Sequence, residues 1–278
     1  MRPPAVAGAF YEGSRSGLIR QIEWCYRHPH GPGQVPSTVS GPRRILALVS
    51  PHAGYMYSGP VAAHGFSELS GDGRPSSVVI IGPNHTGMGS GVAIALAGRW
   101  KTPLGEVALD GDLGKRIMEE SEIIDQDETA HAHEHSIEVQ LPFLQHLFGE
   151  LRMVPICMMM QDPETSREVG EAIARACSGK DVLIIASTDF THYEPRESAY
   201  AKDREAIEKI LQLDPDGLME VIEERNITMC GPGPVCASLW AAREMGARKA
   251  RLLKYATSGD TGPPMEEVVG YASISIRR

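Results

Sequence analysis

The sequence predicts an α/β fold: a single domain over residues 1–278 with a largely parallel central sheet flanked by helices. Three observations carry the prediction. Short β-branched or aliphatic runs alternate with longer segments of helical periodicity, the order that builds a parallel sheet. Several of those runs end in tight Gly- or Pro-bearing turns, as strands do when the chain leaves a sheet edge. No fixed-period repeat divides the chain, and the Gly-, Pro- and Ser-rich stretch 28–42 reads as an exposed loop, because too little chain precedes it to fold alone.

In chain order, a helix is predicted over 17–26 and a strand over 45–49. A helix over 60–69 follows, with Ser58 ahead of Pro60 as its cap. Strands over 78–81 and 92–97, a helix over 134–148 and a strand over 153–157 come next. Asp162 and Pro163 start a helix over 163–176 by the same logic, and a strand over 183–186 succeeds it. Helices over 199–212, 216–225 and 234–245 precede two last strands, 251–255 and 268–276, which extend the same sheet.

Charge and hydropathy remove whole classes of function. Twenty-seven basic against thirty-six acidic side chains leave a net charge of −9, which repels phosphate backbones, so nucleic acid is not an expected partner. The longest apolar runs, such as 45–49 and 182–186, reach about five residues against roughly 20 for a bilayer span, so no membrane segment is expected. Pro3 and Pro4 interrupt any N-terminal signal region, and a cytoplasmic location is the expectation. Five cysteines without short paired spacing fit a reducing compartment better than a disulfide framework.

The chemistry sits at strand ends. The run 45–49 leads into Ser50-Pro51-His52-Ala53-Gly54-Tyr55, the run 78–81 into Gly82-Pro83-Asn84-His85, and the run 182–186 into Ser187-Thr188-Asp189-Phe190-Thr191-His192. Ligands bind outside the carboxyl ends of parallel strands, so these turns are expected to open into one crevice. Any one of these histidines alone reads as a loop residue bonded to backbone; three strand-end turns of this kind together point to a site. Cys230 lies just ahead of the helix predicted over 234–245, whose N-terminus favours a thiolate, while as a lone free cysteine it also reads as a small core residue. Cys25, Cys157, Cys177 and Cys236 are assigned to packing. In the histidine-rich run 131–138, helical spacing places Glu138 beside His135 as its orienting carboxylate, and His131 and His133 are expected in solvent. Met153, Met158, Met159 and Met160 read as core filler, the charged stretch 202–209 as a solvated helix face, and Trp24, Trp100 and Trp240 as too dispersed to mark a site.

These ordered motifs, with Pro3-Pro4-Ala5-Val6-Ala7-Gly8-Ala9-Phe10-Tyr11, Glu134-His135-Ser136-Ile137-Glu138, Leu141-Pro142-Phe143 and Thr257-Ser258-Gly259-Asp260, make the chain resemble the Memo family. The fold of that family is similar to the class III, extradiol-type non-heme iron dioxygenases. The resemblance implies a metal site with His52, His85 and Cys230 as ligands, Asp189, His192 and His135 lining the same pocket, and Tyr11 and Tyr55 as pocket walls. Phe10 stands where some members carry Trp, which removes an indole donor. Cys230 takes the place that a carboxylate fills in the dioxygenases. A thiolate is softer than a carboxylate, so copper or zinc is served as well as Fe(II), and ring cleavage does not follow from the fold.

The leading expectation is therefore a redox enzyme with Fe(II) or copper, in which His192 is general acid or base, Asp189 orients it, and His135 with Glu138 supports the centre. A zinc hydrolase is the second enzymatic reading, since two His and one Cys also suit catalytic zinc. A binding module that holds a peptide or a small molecule without turnover is the third; family members in higher organisms look like adaptors for phosphorylated tyrosine segments. A homo-oligomer fits any of the three.

Overall fold

The computed structural model describes residues 1–39 and 41–278. Helix α1 (Arg15–Arg27) starts where the Ser14 hydroxyl accepts the Gly17 amide at 3.1 Å. Strand β1 (Ile45–Ser50), helix α2 (Gly59–Ser70) and strand β2 (Ser77–Pro83) form the first β-α-β passage. A strand-rich excursion follows: β3 (Val92–Ile94), the hairpin β4 (Arg99–Thr102) and β5 (Gly105–Leu109), helix α3 (Gly111–Glu119) and the short β6 (Asp125–Gln126). Next come α4 (Leu141–Phe148), β7 (Arg152–Met158), α5 (Pro163–Ala176), β8 (Val182–Ser187) and β9 (His192–Pro195). Helices α6 (Arg196–Leu211), α7 (Pro215–Arg225) and α8 (Pro232–Glu244) lead to β10 (Lys249–Thr257), the single turn α9 (Ser258–Thr261) and β11 (Glu267–Arg277).

The main sheet runs β10-β11-β1-β8-β2-β7-β3-β6. Its central four strands, β1, β8, β2 and β7, are mutually parallel, while β11 and β3 join them antiparallel, so the sheet is mixed at its flanks. Side chains alternate between two cores, as a pleated strand requires. Val79, Ile81, Ile184, Ala186, Val154 and Ile156 face the layer of α3, α5, α7 and α8. Val78, Ile80, Leu183, Ile185 and Met153 face the layer of α1, α2 and α4. Burial on both sides explains why these strands read as unbroken apolar runs.

Three local expectations are corrected. The helix predicted over 134–148 is a turn of 3-10 helix (Glu138–Gln140) followed by α4, because the amides of His135 and Ser136 are taken by the Glu134 carboxylate rather than by a helical ladder. Ser58 makes no cap; its backbone is already helical and its hydroxyl donates to the Ala53 carbonyl at 2.8 Å. The strand begun at Val92 ends at Ile94. Asp162 caps α5 as predicted, accepting the Thr165 amide at 2.9 Å. None of the helices among the described residues is long and apolar enough to cross a membrane.

Candidate metal centre

Because β8 lies between β1 and β2, the turns after these three strands are neighbours at one sheet edge. His52 follows β1, His85 follows β2, and Asp189 follows β8. Cys230 arrives from the loop between α7 and α8, seated by two side chains. Thr188 Oγ1 accepts the Gly231 amide at 3.0 Å, and Gln161 Nε2 donates to the Cys230 carbonyl at 3.0 Å. The ligand atoms of His52, His85 and Cys230 all lie within 4.8 Å of one another. The separation of 3.3 Å between Cys230 Sγ and His52 Nε2 compares with roughly 3.6 Å for nitrogen and sulfur sharing one tetrahedral ion at ordinary bond lengths. The donor set therefore fits a single small cation.

Hydrogen bonding fixes which imidazole nitrogen is free. The single hydroxyl proton of Ser187 goes to the Ser136 carbonyl at 2.6 Å, and its oxygen also accepts Gln140 Nε2 at 2.8 Å. At 2.9 Å from His52 Nδ1 it must accept again, so Nδ1 carries the proton and the Nε2 lone pair faces Cys230. His85 Nδ1 lies 2.9 Å from Glu134 Oε1, an acceptor only, which leaves His85 Nε2 free in the same way. Such partners, orienting an imidazole from behind, are what metal-binding histidines use.

Glu134 is 1% exposed and gathers four donors: the His85 ring and the amides of His85, His135 and Ser136. These bonds hold its carboxyl far below the usual range despite the opposing effect of burial. The carboxylate that orients the histidines is thus Glu134, which corrects the expectation for Glu138. Glu138 turns away and accepts Arg2 Nη1 at 2.6 Å, the Ala5 and Val6 amides at 2.7 and 3.1 Å, and the Tyr11 hydroxyl. It binds the N-terminal strap to the body of the protein and so sets Phe10 edge-on to His135, ring centroids 4.8 Å apart. His135 stacks on His85 at 4.7 Å and lies 5.4 Å from His52.

Cys230 departs from the simple helix-terminus picture. Burial, with the Asp189 carboxylate beside it, pushes its thiol well up, although the Asp189 amide donates to the sulfur at 3.1 Å. The sulfur therefore stays protonated until a cation offsets the cost of the buried anion. Burial likewise raises Asp189, whose Oδ1 accepts the His52 amide at 2.9 Å and whose Oδ2 is 3.9 Å from His52 Nε2. Burial first, then the neighbouring imidazoles, lowers His52 and keeps it neutral.

A cavity of about 510 Å³ opens above this cluster, lined among others by Phe10, His135, Asp189, His192, Tyr57 and Tyr271. Tyr11 and Tyr55, expected as its walls, are buried behind it and do not line it; Tyr55 donates to the Val139 carbonyl instead. His192 donates from Nδ1 to the Thr228 carbonyl at 2.7 Å, which leaves Nε2 as the acceptor. His131, expected in solvent, is 2% exposed against Trp100, whereas His133 is exposed. The stretch 202–209 is not wholly solvated either: Asp203 is buried, accepting the Thr191 amide and hydroxyl and the Tyr255 hydroxyl, and so braces the loop that carries Asp189 and His192. Of the four methionines read as filler, Met153 and Met158 are buried and Met159 and Met160 are exposed. Sequence reasoning missed Glu134, Ser187 and Gln140; the tie between a strand-end histidine and an acidic residue in the His-rich run was the available signal for the first.

Residues 2–275 match the Memo-like protein family. A MEMO1 family protein of Methanopyrus kandleri is 52% identical over 280 residues, spanning 100% of this chain and 99% of its own length. Another, from Methanothermobacter thermautotrophicus, is 53% identical over 277 residues, spanning 99% of this chain and 100% of its own length. Among solved structures, an uncharacterized protein of Escherichia coli K12 shares the fold with a TM-score of 0.54 at 13% identity, covering 83% of this chain and 99% of that one. With relatives half identical from end to end, this chain belongs to the Memo-like family.

Proposed function

We propose that this protein is a metal-dependent redox enzyme whose Fe(II) or copper ion, with zinc as the alternative, is held by His52, His85 and Cys230. The observation that supports this most is the pair of locked tautomers: Ser187 and Glu134 accept hydrogen bonds from the Nδ1–H groups and leave both Nε2 lone pairs free in a cluster that includes the Cys230 sulfur. A bound redox ion would supply electron transfer and activation of oxygen or of a small reduced substrate.

The chain's own groups have separate tasks. Glu134 and Ser187 fix the imidazoles, and the Asp189 amide stabilises the sulfur as an anion. His192, with Nδ1 committed to the Thr228 carbonyl, lines the cavity and is the general acid or base for a bound hydroxyl or amine. Asp189, on the same turn, orients that hydroxyl or amine. Metal content and oxygen uptake with catechols, measured on anaerobically purified protein, test the reading. Expected is a single iron or copper ion per chain, lost in Cys230→Ser and His85→Ala, with uptake that fails in His192→Ala. Protein that retains neither metal and is inert toward catechols overturns it.

A further inference from the structure

The cavity above the imidazoles has an unusual balance of charge. Among its described lining residues there is no Lys or Arg, whereas two carboxyl groups, Asp189 at the floor and Glu267 at the rim, face it. Four aromatic rings, Phe10, Tyr57, Tyr193 and Tyr271, are among its other walls, beside the imidazoles at its floor. Tyr193 is 72% exposed and sits at a φ of 56°, a left-handed conformation costly for an aromatic residue, so the backbone holds this ring at the mouth against its own preference. The strand pairing that makes the mouth is fixed, because β11 and β9 run antiparallel with Glu267 opposite Pro195 and Val269 opposite His192.

Aromatic walls joined to a carboxylate, with no Lys or Arg among the lining, are the chemistry that receives an organic ammonium ion. In the metal-free protein a ligand carboxylate or phosphate would find no Lys or Arg in the lining to meet it, and the net charge of −9 would work against its approach. We propose that the cavity takes a small aromatic molecule bearing an ammonium group, with Glu267 as the receptor for that group and Tyr57, Tyr193 and Tyr271 as its aromatic surround. Glu267 is then a specificity-determining residue. The inference rests on the site proposed above as the ligand-binding end of the molecule, but not on which ion that site holds.

The test is calorimetric binding of three phenols of like size, tyramine, 4-hydroxyphenylacetate and uncharged 4-ethylphenol, to protein with its native metal and to chelator-treated protein. The metal-free arm matters, because a carboxylate can bind an ion directly. Tyramine is expected to bind metal-free protein about two- to fivefold tighter than 4-ethylphenol, the scale of one solvent-exposed ion pair, with the acid weakest. Glu267→Gln, an exposed position, is expected to remove that preference and leave 4-ethylphenol binding unchanged. Equal or tighter binding of the acid, an unchanged preference in Glu267→Gln, or no tyramine binding at millimolar concentration overturns the inference. Should the protein prove to hold no metal, the redox reading falls while the ammonium preference is still decided in the metal-free arm.

Discussion

Replacement of Glu138 by alanine tests how the N-terminal strap is held. Its side chain is fully buried and paired with Arg2, whose own side chain is 9% exposed. Removal leaves the guanidinium, two backbone amides and the Tyr11 hydroxyl without their acceptor. Breaking a buried ion pair from one side costs about 3–5 kcal/mol. Arg2 keeps the carbonyls of His131 and Glu134 as acceptors and its place 4.1 Å over the Trp100 ring, which argues for the lower part of that range. With an unfolding entropy of about 2.1 cal/mol/K per residue, a chain of 278 residues unfolds with roughly 0.6 kcal/mol/K, so a loss of about 3–4 kcal/mol lowers Tm by about 5–7 °C. Calorimetry reads the shift, and hydrogen exchange reads the strap: the amides of Ala5 and Val6 are expected to exchange faster than in the parent protein. A shift under about 2 °C with unchanged exchange at both amides refutes the reasoning.

Three further outcomes are expected. Burial and the Arg2 cation push the His131 pKa down to about 4, so the unfolded chain binds a proton that the native protein does not. Stability from this group is whole above about pH 6.5 and is lost as pH falls toward 4. Urea denaturation at pH 7.5 and 4.5 should therefore cost the parent roughly 2–3 kcal/mol more than His131→Gln, and equal losses dismiss the idea. Glu134→Gln halves the acceptors available to His85 and its neighbours; metal affinity in chelator competition is expected to drop about 10–100-fold, and a value within twofold of the parent counts against the orienting role. In Gly82→Ala the new Cβ would collide with Ser136 Oγ and lie 3.0 Å from Ile137, so a loss of about 1–3 kcal/mol is expected, and an unchanged Tm contradicts the close approach.

Much of the architecture was legible because the central strands are buried on both faces and announce themselves as continuous apolar runs. The hairpin β4–β5 was not, since its strand Arg99–Thr102 alternates exposed and buried residues over only four positions. The convergence of the strand-end turns was legible from topology, since parallel strands present their carboxyl ends to one crevice. The orienting carboxylate was not. Glu134 and Glu138 lie on the same short stretch as His135, and helical spacing favours Glu138 only if that stretch is helical. The stretch is instead folded around the Glu134 side chain, a choice made by tertiary hydrogen bonds that spacing does not encode. The burial of His131 has the same origin: Arg2 and Trp100, distant in sequence, cover it.

Anomalous diffraction at the metal edge, from crystals grown with the native ion, bears most directly on the proposed centre. Expected is one peak within bonding distance of His52 Nε2, His85 Nε2 and Cys230 Sγ, absent from crystals of Cys230→Ser. A peak elsewhere, or one that touches the two imidazoles while the sulfur stays uncoordinated, contradicts it.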